Sequence, residues 1–234
     1  MCTVTFLPLT EGFILTSNRD ESPERQAFLP QQKRIGNVEV CFPKDPLAGG
    51  TWFATDNQRF TLCLLNGGFE KHKHEPPYRL SRGQMVLQFF EYYDLADFKS
   101  QFEFEGIEPF TLVVIDALAG VALEELVWDE KALRVRKLNS NTPYIWSSST
   151  LYPEPVRQER RNWFEKWLLD HKTFSQQEII SFHKSGGKGD AWNDFVMNRE
   201  GKVQTISVTS VQKKGREFSP LYHEDLLAKN GIKA

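Results

Sequence analysis

Apolar and polar positions alternate at two different periods along this chain, and the change of period marks out its elements. Residues 2–7 and 13–18 are rich in Thr, Val, Ile, Leu and Phe, a strand composition, and residues 8–12 form the turn between them. Strands joined this tightly pair antiparallel. Counting outward from the turn sets Cys2 opposite Asn18 or Arg19, and a one-residue slip changes which side chain shares its face. Residues 22–37, with two prolines and three glutamines, read as a surface loop. Residues 38–42 form a short strand. Asp45-Pro46-Leu47-Ala48-Gly49-Gly50 then turns the chain into a strand at Thr51-Trp52-Phe53. Residues 59–65 are almost continuously apolar after Arg59, the pattern of a strand buried on both faces, and Asn66-Gly67-Gly68 ends it in a turn.

The period then lengthens. Ser81 caps a helix whose Met85, Val86, Phe89 and Phe90 form one apolar stripe. Residues 110–116, 121–128, 132–138 and 143–151 return to strands. Residues 153–170 form a helix with Trp163, Phe164, Trp167 and Leu168 on one side, and residues 175–183 form a shorter one. Residues 194–199 and 203–211 make a hairpin around Glu200-Gly201, and the polar tail includes a short helix near 223–229. Strands that follow one another in hairpins, without one-to-one alternation with helices, indicate an α+β fold with largely antiparallel sheets. No internal repeat or linker interrupts the chain, so one domain over residues 1–234 is expected.

Composition narrows the function. The chain has 234 residues, 40% hydrophobic and 26% charged, with a net charge of −2. Nothing in that balance points to nucleic acid or a membrane surface. Eighteen Phe and six Trp indicate an aromatic interior. Three cysteines, Cys2, Cys41 and Cys63, are not a disulfide framework. Cys41 and Cys63 lie in apolar strands and read as inert core thiols. No signal peptide or membrane-length apolar run is visible, and a reducing cytoplasm fits this usage. His72 and His74 in a lysine-flanked loop are a poor metal site. The glycine-rich stretch 185–190 lacks the spacing of a phosphate-binding loop. No cofactor and no metal are expected.

The chemistry concentrates at the start. Removal of Met1 would leave Cys2 with a thiol and a free α-amine, which titrate near ~8.5 and ~7.7–8.0. Such an amine can deprotonate the neighbouring nucleophile. Around this position the sequence carries Asn18-Arg19-Asp20-Glu21, Arg25, Asp45 with Gly49-Gly50-Thr51-Trp52, Asn66 after a buried strand, and Ser81-Arg82-Gly83.

In that combination the chain resembles the NRDE family, which includes the eukaryotic Transport and Golgi organisation 2 proteins. The likeness is close through residue 83 and looser afterwards. It implies an N-terminal-nucleophile hydrolase-like fold, a four-layer αββα sandwich of two mainly antiparallel sheets. It also implies Cys2 as nucleophile, Arg19 lowering the thiol pKa, Asp20 orienting the α-amine, and Asn66 with the Gly67 amide as oxyanion donors. Asn18, Trp52, Gly67 and Ser148 are the substrate-binding positions it suggests. Arg19 and Asp20 could instead pair structurally, Gly49-Gly50-Thr51-Trp52 could be a bulge with a core Trp, and Asn66 could serve its turn. Ser148 stands where amide-cleaving relatives carry Asn, and Arg199 is the position offered for their distal Arg. The implied activity is hydrolysis of a C–N bond in a small acylated amide by an N-terminal cysteine. The alternative is a non-catalytic handler of haem, acyl chains or acyl-CoA. The partner is accordingly a small-molecule acyl amide or hydrophobic ligand.

Overall fold

The computed structural model describes residues 3–227, so Cys2 lies outside the described residues. The chain divides into two compact units, one made of residues 1–26 with 140–234 and the other of residues 27–139.

The first unit is built on the N-terminal hairpin. β1 (Thr3–Leu9) and β2 (Gly12–Glu21) pair antiparallel from Leu9↔Gly12 to Thr3↔Asn18. β1 also pairs with the later strand Tyr144–Ser147, and β2 pairs with the long strand Val203–Lys214. Alternation puts Thr3, Thr5 and Leu7 on one face and Val4 and Phe6 on the other. Leu7 and Ile14 pack on the helices Glu154–Asp170 and Gln176–Ser185 through Phe164, Ile179 and Phe182. Ser175 and Glu178 close a capping box at the start of the second of these helices.

The second unit holds a sheet that begins with β3 (Phe28–Ile35), β4 (Val38–Lys44), β5 (Phe53–Thr55) and β6 (Phe60–Asn66). Two helices follow, α1 (Arg82–Tyr92) and α2 (Leu95–Gln101). β7 (Phe110–Asp116), β8 (Ala122–Trp128) and β9 (Leu133–Leu138) complete the sheet, in the spatial order β3-β4-β5-β6-β7-β8-β9. Ser81 accepts from the Gln84 amide, as its capping role requires. The abundance of phenylalanine is accounted for here. Phe60, Phe89, Phe98, Phe102 and Phe104 run through the unit in successive ring contacts of 4.8, 5.2, 4.8 and 4.9 Å.

Returning to the first unit, the remaining elements in chain order are β10 (Tyr144–Ser147), α3 (Glu154–Asp170), α4 (Gln176–Ser185), β11 (Asn198–Arg199), β12 (Val203–Lys214), β13 (Glu217–Phe218) and β14 (Tyr222–Asp225). Both β13 and β14 pair with β12. All strand pairs in both units are antiparallel among the described residues.

Two expectations are corrected and one helix is new. The loop expected over 22–37 contains β3, an outer strand. Its side chains are largely exposed, so no buried face imposes an apolar alternation, and its Pro30 is tolerated at an edge beside a register shift. The short α2, capped by Asp94 through the Ala96 and Asp97 amides, was not anticipated. Seven residues with only Phe98 buried leave too few turns to show a stripe. The helix expected near 223–229 is strand β14 as far as Asp225, because pairing with β12 overrides local preference; residues 228 and 229 lie outside the described residues.

Candidate active site

The end of β2 is buried and polar. Asn18, Arg19 and Asp20 are 0%, 3% and 3% exposed. Burying such groups is costly unless they are hydrogen-bonded, and their partners define what each can do.

Asp20 faces the helices. Tyr152 Oη donates to Asp20 Oδ2 at 2.7 Å, and Thr205 Oγ1 donates to Asp20 Oδ1 at 2.5 Å. Thr205 Oγ1 accepts in turn from the Met197 amide at 2.9 Å, and the Phe195 carbonyl lies 3.0 Å from the same hydroxyl. The Tyr152 ring lies under the Arg160 guanidinium, 3.6 Å from its centroid, with Arg199 at 5.3 Å. Arg160 is fully buried and donates to the carbonyls of Asn193 and Asp194 and to Thr3 Oγ1. A carboxylate is thus held rigidly by two hydroxyls, one of them packed against a cation. Arg199 reaches this cluster through the Tyr152 ring and the Leu151 carbonyl.

Arg19 is one residue away and therefore faces the opposite side of the sheet. Its Nη1 donates to the Arg25 carbonyl at 2.5 Å. On the same side Thr209 Oγ1 bonds His223 Nδ1 at 2.9 Å. Burial pushes the His223 pKa down to about 4; Asp225 opposes that shift and Arg19 adds to it. Ser148, one residue beyond β10, is buried, and its Oγ pairs with Thr150 Oγ1 at 2.8 Å.

Asn18, expected to bind substrate, is committed internally. Its Nδ2 donates to the carbonyls of His183 (3.0 Å) and Phe195 (2.7 Å), so its Oδ1 accepts from His183 Nδ1. His183 Nε2 then accepts from the Thr5 hydroxyl at 2.8 Å. Burial first, and Arg160 second, push the His183 pKa down to about 3, so the ring is neutral. The Asn18 side chain fixes β2 to α4 and does not present a free amide.

The remaining expected residues belong to the second unit. Asn66 ends β6 opposite Phe110. The Gly67 amide, expected as an oxyanion donor, donates to the Pro109 carbonyl at 2.9 Å. Trp52 is a core residue, 3% exposed. The two glycine motifs meet each other. A Cβ on Gly50 would lie 2.2 Å from the Gly83 carbonyl carbon, and Thr51 N donates to the Gly83 carbonyl at 3.1 Å. Gly49-Gly50-Thr51-Trp52 and Ser81-Arg82-Gly83 therefore lock β5 to the start of α1. His72 and His74 bond Glu108 Oε1 at 2.9 and 3.1 Å, with Arg82 at 2.8 Å from Oε2. No group of three metal-ligating side chains occurs among the described residues. A hollow of about 540 Å³ lies at the β1–β2 turn, lined by Leu9, Glu11, Lys172, Phe174 and Lys214, and holds none of the expected site residues.

The sequence model of the Transport and Golgi organisation 2 family matches residues 1–215. The chain belongs to this family. No curated protein matches it. Among solved structures, this Transport and Golgi organisation 2 family member is similar to a Caenorhabditis elegans N-acylethanolamine-hydrolyzing acid amidase ortholog. That match has 11% identity and a TM-score of 0.53, covering 89% of this chain and 92% of the other. It is also similar to a variant of conjugated bile acid hydrolase from Clostridium perfringens, at 9% identity and a TM-score of 0.55, covering 97% and 93%. These likenesses show the fold, which is the expected α+β, N-terminal-nucleophile hydrolase-like class with two antiparallel sheets. No helix among the described residues is long and apolar enough to cross a membrane.

Tyr152, Arg160, Thr205 and His183 are the participants that the sequence reading missed. Arg160 carried a detectable signal, since it lies four residues before Phe164 on the buried stripe of α3.

Proposed function

We propose that this protein is an N-terminal-cysteine hydrolase that cleaves the C–N bond of a small acylated amide. The observation that carries this reading is the anchoring of the Asp20 carboxylate by Tyr152 and Thr205 at the end of the strand that pairs with the N-terminal strand. A carboxylate held in this way suits the orientation of a protonatable amine, a role that demands fixed geometry more than a shifted pKa. Arg19, on the other face, favours a thiolate on a nearby Cys. Cys2 is the nucleophile in this reading, and its α-amine takes the thiol proton and returns it to the leaving amine. The amidase and hydrolase named above share the fold, which supports the reaction class. The family match runs through both units, which supports a single functional domain. A net charge of −2 supports a small-molecule partner over nucleic acid.

One observation favours a second reading. The Gly67 amide is already engaged, and Ser148 replaces the Asn of the amide-cleaving relatives. Without those donors the scaffold would handle haem, an acyl chain or acyl-CoA and catalyse nothing. The deciding experiment is a screen of the processed protein against N-acyl amides, with intact-mass analysis to establish that it begins at Cys2. Turnover that disappears in Cys2→Ala supports the hydrolase. Retention of Met1, or equal turnover in Cys2→Ala, sinks it, and saturable haem or acyl-CoA binding without turnover selects the second reading. The role expected of Asn66 is tested in the same screen, where Asn66→Ala lowers kcat if its amide contributes.

A further inference from the structure

Strand β12 departs from regular pairing at one place. Thr205 pairs with Asp20 and Ser207 pairs with Arg19, so Ile206 is an extra residue in the ladder. Without this bulge, residues two apart would face the same way and an isoleucine would stand opposite Arg19. With it, Thr205 shares the face of Asp20 and Ser207 shares the face of Arg19. A single insertion thereby delivers one hydroxyl to each of the two charged residues that end β2.

The two hydroxyls differ in what they meet. Thr205 Oγ1 is bonded to Asp20. Ser207 is 3% exposed, and its Oγ has no hydrogen-bond partner in the structure. The other buried hydroxyls on these strands are matched. Thr3 meets Arg160, Thr5 meets His183, Thr16 meets Ser210, Ser17 meets the Asn18 carbonyl, and Thr209 meets His223. Among the described residues of β1, β2 and β12, Ser207 alone is left over. Buried polar groups are normally matched, so an orphan beside Arg19 calls for a partner that the chain does not supply.

We propose that Ser207 Oγ–H is a hydrogen-bond donor to the carbonyl oxygen of the bound acyl amide. This rests on the hydrolase reading above. An acceptor atom on the ligand suits both groups, because the ladder neighbour Arg19 offers donors only and the Ser207 hydroxyl can donate as well. On the other side, the ladder partner Asp225 has its Oδ1 engaged by the Leu227 amide at 2.8 Å. The donor is also one the site needs. The Gly67 N–H is used by Pro109. Ser207 keeps its proton throughout; it stabilises negative charge on the carbonyl oxygen as the tetrahedral adduct forms.

The test measures kcat, KM and thermal midpoint together on the processed full chain, using whichever N-acyl amide the wild type hydrolyses. Ser207→Ala should lower kcat by roughly 10²-fold, the typical loss for one oxyanion donor, with little change in KM. The thermal midpoint should stay the same or rise, because an orphan hydroxyl has been removed. Ser207→Thr, which restores a hydroxyl, should recover part of the rate. Wild-type kcat in Ser207→Ala would overturn the proposal, since water alone would then satisfy the group. A parallel fall in rate and midpoint would overturn it as well and assign Ser207 to structure. Cys2→Ala separates the two levels. If the wild type turns over and Cys2→Ala does not, those outcomes judge Ser207 alone. If the two behave alike, the hydrolase reading fails and takes the donor role with it.

Discussion

The two sheets bury different things. In the second unit, β6 and β7 bury Phe60, Leu62, Cys63, Leu64, Leu65, Leu112, Val113, Val114 and Ile115, against few buried polar side chains. In the first unit, β1, β2 and β12 bury Thr3, Thr5, Thr16, Ser17, Asn18, Arg19, Asp20, Thr205, Ser207, Thr209 and Ser210. Hydrocarbon burial is non-directional and tolerates exchange, whereas each buried polar group needs a partner at a defined position. The second sheet therefore needs volume and the first needs geometry. A chain that maintains so many directional bonds around one strand end has a use for the precision there.

Substitutions can break that contrast. The largest effect is expected for Arg160→Met. Similar bulk is retained, but the Asn193 and Asp194 carbonyls lose their buried donor. At about 1–3 kcal/mol per orphaned group, the loss is roughly 2–6 kcal/mol in urea unfolding. A loss under 1 kcal/mol would show that the first sheet is as permissive as the second.

Tyr152→Phe comes next. It removes one hydrogen bond to a carboxylate, worth about 1.5–3 kcal/mol, and leaves the ring under Arg160. In the hydrolase reading it should also lower kcat and change the pH–rate profile, because Asp20 loses one of the two hydroxyls that fix it. Stability that falls with an unaltered profile would confine Tyr152 to packing.

The third effect is on pH dependence. His183 is neutral when folded, with its pKa pushed down to about 3, against an ordinary value of 6.5. Between those values the unfolded chain binds a proton that the folded chain does not, so stability rises with pH. It is fully present above about pH 6.5 and is lost as pH falls towards 3, with a slope of up to ~1.4 kcal/mol per pH unit from this group. His223, pushed down to about 4, adds to the slope. His183→Gln should flatten the stability profile measured from pH 7 to 4.5; an equally steep profile would remove His183 as its cause.

The smallest change belongs to the second sheet. Leu64→Met in β6 conserves volume and removes no polar partner, so stability should move by less than ~1.5 kcal/mol with kcat unaffected. A larger loss would show a jigsaw fit there and weaken the contrast.

Much of this was legible in the sequence. The first hairpin, the buried strand β6, the Ser81 cap and the long helix α3 appear where periodicity and capping residues put them. β3 was not legible because an exposed outer strand carries no apolar alternation. The motif residues were visible, but their work was not. Gly50 read as part of a turn and Gly83 as part of a helix start, and they turn out to be where two backbones touch. Asn18 looked like a ligand-binding amide, and it is a brace between β2 and α4.

By itself, the sequence determined the elements, the antiparallel hairpins and the cluster of charge at the end of β2, because these depend on neighbours a few positions apart. Tertiary structure alone decided the partners. Tyr152 reaches Asp20 across 132 positions of chain and Thr205 across 185. Those meetings depend on strand register and on one extra residue, Ile206, and a shift of a single position would exchange the faces of Thr205 and Ser207. Local periodicity carries no record of that register, so which hydroxyl serves Asp20 and which stands unmatched beside Arg19 could be settled only by the folded sheet.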